Sequence, residues 1–253
     1  MFKNILIFLS ILIFITQNNS LSIFAKENPN KNISIPVFCY HSVNPNAYNN
    51  PAIITPDCLK SQLTFIKKQG FNTLSINDLY SYLSNNSEIP QKSILITFDD
   101  GYMDNYYYAF PILKELNMKA TIFCITRDLD GKYYLSNEAI KIMSANNIDI
   151  ESHTFSHKKL SSLTYENQLK ELEKSKKDLE SITGNKVTAI AYPYGDYNQD
   201  TLKAASKAGY QLGFSTQNGF VKQKDCIFKL NRIYIGPNYD INKIESILSQ
   251  IEK

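Results

Sequence analysis

The chain of 253 residues contains three histidines, and two of them lie four residues apart in ESHTFSH, residues 151–157. Histidine is the commonest side-chain metal ligand and the usual proton carrier near neutral pH. A second segment, TFDDG at residues 97–101, places Asp99 beside Asp100. Two imidazoles and one carboxylate form a ligand set for a zinc-type catalytic site, which keeps a further position open for water. His153, His157 and one aspartate are therefore candidate metal ligands.

The spacing of these residues suggests more specific roles. A separation of four residues predicts that both imidazoles lie on one side of a helical turn. HTFSH lacks the glutamate of the HExxH motif, which argues against a zinc protease. In an adjacent pair of aspartates, one can bind a metal while its neighbour accepts a proton from water. Two structural alternatives remain open: Asp-Gly is a strong turn dipeptide, and a histidine pair can be hydrogen-bonded at a strand end.

The elements that must position these residues alternate between short β-branched runs and amphipathic segments. The strand-like runs are ISIPVFCY, FNTLS, SILITFDD, KATIFCIT, IDIES, VTAIAYPYG, YQLGFS and FKLNRIYI. Helical patterns separate them, the first beginning at Thr55-Pro56 and ending at Gly70. About seven to eight parallel strands with helical crossovers predict an α/β fold, closed or nearly closed into a barrel, with an open doubly wound sheet as the alternative. In another predicted helix, Pro111 is expected to cause a kink.

The candidate residues fall at the ends of predicted strands. His41 follows the first strand, the Asp99-Asp100 pair follows the third, and His153 follows the fifth. Residues 192–194, Tyr-Pro-Tyr, follow the sixth. Because the carboxyl ends of barrel strands form one functional face, we expect these segments to meet at a single rim.

Composition narrows the possible partners. Apolar residues make up 43% of the chain, and the length suits one large α/β domain. The formal net charge of +3 is too small and too evenly spread to predict a nucleic-acid partner. The spacing of Cys39, Cys58, Cys124 and Cys226 would allow disulfides but matches no zinc ribbon or redox motif. Cys39 and Cys124 lie in apolar runs and are predicted to be buried thiols.

The first 25 residues differ from the rest of the chain. Lys3 precedes an apolar run from residue 5 to residue 15 that is interrupted only by Ser10, and a polar patch leads to the small residue Ala25. This length matches the core of a signal peptide, whereas a spanning helix needs about 20 apolar residues. We predict a signal peptide or a retained anchor at 1–25, a linker at 26–32 and one domain at 33–253. The protein is then exported, and it touches a membrane only through an uncleaved N-terminus.

Three strings in this order, SILITFDDGY, IESHTFSH and AIAYPYGDYN, resemble the motifs of polysaccharide deacetylases of carbohydrate esterase family 4, which share the NodB homology domain. The resemblance runs from about residue 33 to residue 235. It is closest to the branch of poly-β-1,6-N-acetylglucosamine deacetylases, which carry an early YHS segment like residues 40–42. It implies a distorted (β/α) barrel of NodB type, one divalent metal with Zn2+ as first choice, and hydrolysis of N-acetyl groups on aminosugar polymers, or of O-acetyl groups in some members.

The resemblance also implies roles for the candidate residues. Asp99 corresponds to the general base, and Asp100, His153 and His157 correspond to the metal ligands. The C-terminal segment contains no histidine that could act as general acid, and the early-YHS branch uses its early histidine instead. His41 is therefore the candidate acid that protonates the departing amine, which leaves poorly as an anion.

One departure from the family pattern concerns the base. Ala191 stands where most members have an arginine that orients the base, and Arg232 in LNRIYI is the candidate replacement. A backbone N–H near Tyr194 is the expected oxyanion donor. The further candidates for substrate contacts are Tyr40, Tyr102, Tyr192 and Pro193, whereas Tyr106, Tyr107 and Tyr108 are expected in the core and on a helix surface.

The branch resemblance favours an exported poly-β-1,6-N-acetylglucosamine as substrate, with peptidoglycan or chitin-type oligomers second. An O-acetyl polysaccharide esterase and a catalytically silent glycan-binding protein of the same fold are the alternatives. A glycosidase is disfavoured because its two carboxyl groups must lie on opposite sides of one bond, about 5–9.5 Å from each other. Two adjacent residues at a strand end are poorly placed for this arrangement.

Overall fold

The structure is a computed structural model that describes residues 33–46 and 50–251. The predicted signal peptide or anchor and the predicted linker lie outside the described residues. The strands are β1 Val37–Tyr40, β2 Ser42–Val43, β3 Ile53–Ile54, β4 Asn72–Thr73, β5 Ser93–Phe98, β6 Ala120–Cys124, β7 Ile148–Ser152, β8 Ala189–Ala191, β9 Leu212–Phe214 and β10 Ile233–Tyr234. The helices are α1 Pro56–Lys68, α2 Ile76–Asn85, α3 Phe110–Glu115, α4 Asn137–Ser144, α5 Tyr165–Thr183, α6 Gln199–Lys207 and α7 Ile241–Leu248.

The main sheet is parallel and curls until its edges meet. Its order is β10-β1-β5-β6-β7-β8-β9, and β4 pairs with β5 beside this path. The segment that leads into β10 then bonds to β9, because Leu230 N–H donates to the Gly213 carbonyl (2.8 Å) and Ser215 N–H donates to the Leu230 carbonyl (2.9 Å). The prediction of a distorted (β/α) barrel with about seven to eight parallel strands is confirmed.

Side chains alternate between the two faces of the curled sheet. Phe38 and Ile96 belong to an apolar cluster packed under the helices, whereas Val37 and Leu95 belong to a cluster inside the barrel. A strand turns successive side chains to opposite faces, so this period of two continues past the strand ends. The inward positions reached at the rim are His41 after β1, Asp99 after β5 and His153 after β7.

Local sequence sets the boundaries of the helices. Thr55 caps α1 by accepting from Cys58 N–H (3.2 Å), and Pro56 occupies the first turn, as predicted. The predicted disturbance near Pro111 takes the form of a π-helical turn, residues Asn105–Ala109, that leads into α3. Pro111 then sits in the first turn of α3, where its missing N–H costs little.

Helix α2 lies at the amino ends of the strands. The Ile76 N–H at its start donates to Asp149 Oδ2 in β7 (2.7 Å), and Leu79 and Tyr82 join the cluster inside the barrel. The barrel is therefore covered at one end, which leaves its carboxyl rim for chemistry. In residues 33–46 and 50–251, no helix combines the length and the apolar character that crossing a bilayer requires.

Candidate active site

Asp99 and Arg232 form a buried, two-pronged ion pair. Arg232 Nη1 lies 2.6 Å from Asp99 Oδ1, and Nη2 lies 2.7 Å from Oδ2. Only 3% of Asp99 and 1% of Arg232 is exposed. Burial alone would raise the pKa of Asp99, but the charge and hydrogen bonds of Arg232, together with the nearby histidines, outweigh it and hold that pKa well below its usual range. The candidate base is therefore ionised and fixed in orientation, and the arginine comes from the segment before β10.

Asp100 points the other way, toward the two histidines. Its φ of 71° is a left-handed backbone conformation that turns its side chain away from that of Asp99. Asp100 Oδ1 lies 3.5 Å from His153 Nε2 and 3.4 Å from His157 Nε2. Two adjacent aspartates thus occupy different environments, one with a guanidinium and one with two imidazoles.

The histidine loop is not helical, so the prediction of a shared helical turn is wrong. Residues 153–157 follow β7 in a loop, and both Thr154 (φ 68°) and His157 (φ 55°) are left-handed. His157 N–H donates to Thr154 Oγ1 (3.0 Å), while Ser156 is held through its N–H (2.8 Å) and hydroxyl (2.5 Å) by Glu171 of α5. These local bonds, rather than a helical repeat, bring the imidazoles together, with ring centroids 4.8 Å apart.

Each imidazole is oriented by a neighbour. His153 Nδ1 lies 2.7 Å from the Ala191 carbonyl, which accepts its proton and leaves Nε2 as the electron-pair donor facing Asp100. His157 lies against the ring of Tyr194, with centroids 4.7 Å apart. Burial, reinforced by His153, lowers the pKa of His157 and so favours the neutral form that binds metals.

The three groups fit a divalent metal. The ligand atoms of Asp100, His153 and His157 lie within 4.8 Å of one another. A tetrahedral site with bonds of about 2.1 Å separates its ligand atoms by about 3.4 Å, which matches both carboxylate–imidazole distances. Nitrogen and oxygen donors suit zinc but also other transition metals. Asp100, His153 and His157 are therefore the residues that would hold the divalent metal implied by the family resemblance.

His41 lies beside Asp99 and is not one of the three residues of the metal-ligand set. One of its ring nitrogens, the Asp99 carboxylate and the Cys39 sulfur all lie within 4.8 Å of one another. Asn105 Nδ2 donates to the His41 carbonyl (2.9 Å), and the ring stands edge-on to Tyr234 at 5.8 Å. Its buried Nδ1 has no hydrogen-bond partner within the described part of the chain. The residue as a whole is only half-buried at the rim, so a bound substrate could reach this imidazole.

The tyrosines predicted to contact substrate divide into two groups. Tyr194 is 60% exposed beside His157, with a left-handed φ of 60°, and Tyr102 is half-buried at the rim two residues after Asp100. Tyr40 and Tyr192 are fully buried, so the prediction that they contact sugar is wrong. Both point outward from the barrel into the core, and Pro193 is buried as well and anchors the turn that presents Tyr194.

The hydrogen bonds of the two buried tyrosines explain their position. Tyr40 Oη donates to Gln62 Oε1 of α1 (3.0 Å), and Tyr192 Oη donates to the Phe228 carbonyl (3.1 Å). Their polar ends are thus satisfied inside the protein. For the tyrosine run, Tyr106 packs against the core while Tyr107 and Tyr108 are exposed, as predicted.

Three further residues support the site and were not predicted from the sequence. Cys39 Sγ lies 3.5 Å from Asp99 Oδ2, although the prediction that it is a buried thiol is confirmed. Burial raises the pKa of this thiol, so it stays protonated and can donate to the carboxylate. The period of two counted back from His41 would have placed it inside the barrel. Glu171 and the Ala191 carbonyl carry no comparable sequence signal.

The four cysteines, all within the described residues, have free thiols.

The chain is similar to known deacetylases in sequence and structure. Residues 86–213 match the family model described as polysaccharide deacetylase. The chain is 36% identical over 211 residues to YxkH of Bacillus subtilis, whose name assigns it to the polysaccharide deacetylases, covering 83% of this chain and 74% of that protein. It is 28% identical over 197 residues to the poly-β-1,6-N-acetyl-D-glucosamine N-deacetylase of Staphylococcus epidermidis, covering 72% and 68%.

A solved structure supports the same relationship. The Streptococcus pyogenes deacetylase PplD, determined in complex with acetate, matches with a TM-score of 0.81 and 33% identity, covering 88% of this chain and 100% of that chain. This likeness includes the curled parallel sheet that carries the site. The chain belongs to the polysaccharide deacetylase family, carbohydrate esterase family 4, and has its NodB-type fold.

Proposed function

We propose that the protein is a metal-dependent hydrolase that removes N-acetyl groups from an exported N-acetylglucosamine polymer and releases acetate. The observation that carries the proposal is the divergence of two adjacent carboxylates. Asp99 is paired with Arg232, and Asp100 faces His153 and His157. One carboxylate is thus reserved for proton transfer and its neighbour for metal binding.

The ion pair determines what Asp99 can do. A strongly lowered pKa keeps the carboxylate ionised but makes it a weak base. The attacking water must therefore be acidified, and a divalent metal held by Asp100, His153 and His157 would supply that Lewis acidity and polarise the acetyl carbonyl. Asp99 then accepts the water proton, and a backbone N–H near Tyr194 is the proposed oxyanion donor.

His41 completes the proposed proton transfers. The amine of an amide leaves poorly unless it is protonated, and the His41 imidazole lies within 4.8 Å of the Asp99 carboxylate. The imidazole stands edge-on to Tyr234, and the bond from Asn105 to the His41 carbonyl holds the backbone at the end of β1. Acetate and a free amino sugar are the products, and the S. pyogenes relative is known in complex with acetate.

The substrate proposal follows the relatives. A poly-β-1,6-N-acetylglucosamine is our first choice because the S. epidermidis relative is named for that polymer, with peptidoglycan or chitin-type oligomers second. The apolar run at residues 5–15 supports export. The alanine at position 191 favours a catalytically silent binding protein, whereas the Arg232–Asp99 pair supports a working base.

Acetate release by the purified full chain tests the proposal. The substrates are β-1,6- and β-1,4-linked N-acetylglucosamine oligomers, with acetylated xylan for the O-acetyl alternative. We expect acetate release from the oligomers. Chelator should stop this release and added zinc should restore it, and the Asp99→Asn variant should show none. Release from acetylated xylan alone would replace the proposal with an esterase. One bound metal per chain without any release would indicate a binding protein.

A further inference from the structure

A groove lined mainly by tyrosines lies next to the candidate active site. Its volume is about 580 Å³, and we call it the tyrosine groove, defined by Tyr102, Tyr107, Tyr108, Tyr133 and Tyr134. Pockets for small ligands have volumes of about 300–1,000 Å³ and combine aromatic walls with a few polar groups. The polar groups here come from Asn44, Asp104 and Lys132.

The tyrosine groove is continuous with the metal-ligand set. Tyr102 follows Asp100 by two positions, and its ring stacks on that of Tyr134 with centroids 5.4 Å apart and planes 17° apart. The backbone links the same two segments, because Met103 N–H donates to the Tyr133 carbonyl (2.8 Å) and Leu135 N–H donates to the Gly101 carbonyl (2.9 Å). The groove is therefore fixed to the loop that presents Asp100.

The outer tyrosines of the groove contact solvent rather than the core. Tyr133 is 66% exposed, Tyr107 is 58% exposed and Tyr108 is 37% exposed. They are three of the six large exposed apolar side chains among the described residues. Clustered exposed apolar groups of this kind mark binding sites on soluble proteins. The proposed hydrolysis at Asp99 and His41 uses none of these three tyrosines.

The lining indicates the class of ligand. A tyrosine offers an apolar ring face together with a polar hydroxyl, which suits a ligand that has both C–H faces and hydroxyl groups. The Lys132 ammonium, 5.0 Å from the centroid of the Tyr133 ring, adds a donor at the edge, and Asp104 is the nearby acidic group. A pyranose ring has this combination, whereas a polyanion would meet one lysine among five tyrosines.

We propose that the tyrosine groove binds a second sugar unit of the same polymer whose acetylated unit lies at Asp100. This inference rests on the proposed function, because that function places the reacting sugar at the site of Asp100, two residues before Tyr102. The groove then makes the enzyme selective for chains over short fragments, since only a chain reaches both the site and the groove.

Substrate length tests the proposal. The full chain is given β-1,6- or β-1,4-linked N-acetylglucosamine oligomers of two and of five units, and kcat/KM for acetate release is measured for each. We expect the ratio of long to short to fall about tenfold in a Tyr107→Ala/Tyr133→Ala variant, because two stacking surfaces are lost. The matched Tyr107→Phe/Tyr133→Phe variant keeps both rings and should keep the ratio. A general loss of folded protein lowers both rates and cancels in the ratio.

A binding measurement separates this proposal from the proposed function. Pentamers are titrated calorimetrically into the full chain and into both double variants. Binding that weakens about tenfold only in the alanine variant, without any acetate release, would support the groove and overturn the function. Acetate release with an unchanged ratio and unchanged binding in the alanine variant would overturn the groove and leave the function standing.

Discussion

The guanidinium of Arg232 holds both carboxylate oxygens of Asp99, at 2.6 and 2.7 Å, across 133 positions of sequence. It also donates through Nε to the Ser215 carbonyl (3.0 Å) and lies over the ring of Phe123 at 5.7 Å. Arg232 is the largest fully buried side chain of the described residues, and Asp99 is its ion-pair partner. The pair therefore contributes both to the reactivity of the base and to the integrity of the barrel.

Removing Arg232 should reduce stability and activity together. Arg232→Ala leaves a buried, unpaired carboxylate, and breaking such a pair costs about 3–5 kcal/mol. Arg232→Lys retains the charge but loses the two-pronged geometry, so we expect a smaller loss of stability and a clear loss of kcat. Urea unfolding and acetate release measure the two effects. Lys203→Ala, which breaks an exposed ion pair with Asp200, is the control and should change neither. Wild-type stability in Arg232→Ala would contradict the pairing.

Metal binding should stabilise the folded chain. A ligand present at 100 times its dissociation constant adds about 2.7 kcal/mol to the free energy of unfolding. We expect added zinc to raise the thermal midpoint of the wild-type chain and to have little effect on Asp100→Ala or His157→Ala. Differential scanning calorimetry with chelator and with zinc checks this. The exposed carboxylate variant Asp200→Asn should respond like wild type, and an unchanged response in Asp100→Ala would place the metal elsewhere.

The role of His41 can be separated from that of Asp99 by the leaving group. An amine requires protonation, whereas a nitrophenolate leaves unaided, and general acid catalysis is worth about 10²–10⁴-fold. His41→Asn should therefore lower kcat/KM for N-acetyl substrates far more than for 4-nitrophenyl acetate. Asp99→Asn should lower both, because both reactions need the attacking water. Equal losses on the two substrates in His41→Asn would argue against an acid role.

The thiols should differ in reactivity in the native protein. Burial raises the pKa of Cys39 and of Cys124, whereas Cys226 is exposed. The thiolate is the reactive form, so we expect iodoacetamide at pH 8 to label Cys226 first and the two buried thiols only after denaturation. Peptide mass spectrometry over a time course measures this. Early labelling of Cys39 would show that the barrel interior opens.

Asp149 should make stability depend on pH. Burial raises its pKa above the unfolded value, even though it accepts the Ile76 N–H. The folded chain then holds a proton that the unfolded chain releases, so stability falls as pH rises from about 3.9 through the folded pKa and then levels off. We expect Asp149→Asn to be more stabilising, relative to wild type, at pH 7 than at pH 3.5. Urea unfolding at both values checks this, and a pH-independent difference would refute it.

Much of this site could be anticipated because its residues lie directly after strands. The period of two and the parallel order bring residues 41, 99 and 153 to one rim, whatever the loops do. The alternation also explains the failures. Tyr40 and Tyr192 lie close to the rim in sequence. In the alternation of each strand, however, they occupy outward positions, so their side chains pack into the core between the sheet and the helices.

The parts that could not be predicted depend on loop conformation and on contacts distant in sequence. HTFSH has a helical spacing, but its geometry is not helical. The left-handed backbone of Thr154 and His157 and the two hydrogen bonds from Ser156 to Glu171 determine it. The Ala191 carbonyl that orients His153 is a backbone group that any residue at that position would supply. The residue type at position 191 therefore could not have predicted this contact with His153.

The segment that supplies Arg232 is also the segment that closes the barrel, through the bonds of Leu230 to β9 and of β10 to β1. This segment comes late in the chain, after the other residues of the site: Cys39, His41, Asp99, Asp100, His153 and His157. A nascent or refolding molecule can thus assemble every predicted metal ligand while the base still lacks its counter-charge. Reactivity would appear only at the last closure event, so the onset of deacetylation during refolding would report completion of the barrel rather than formation of the metal site.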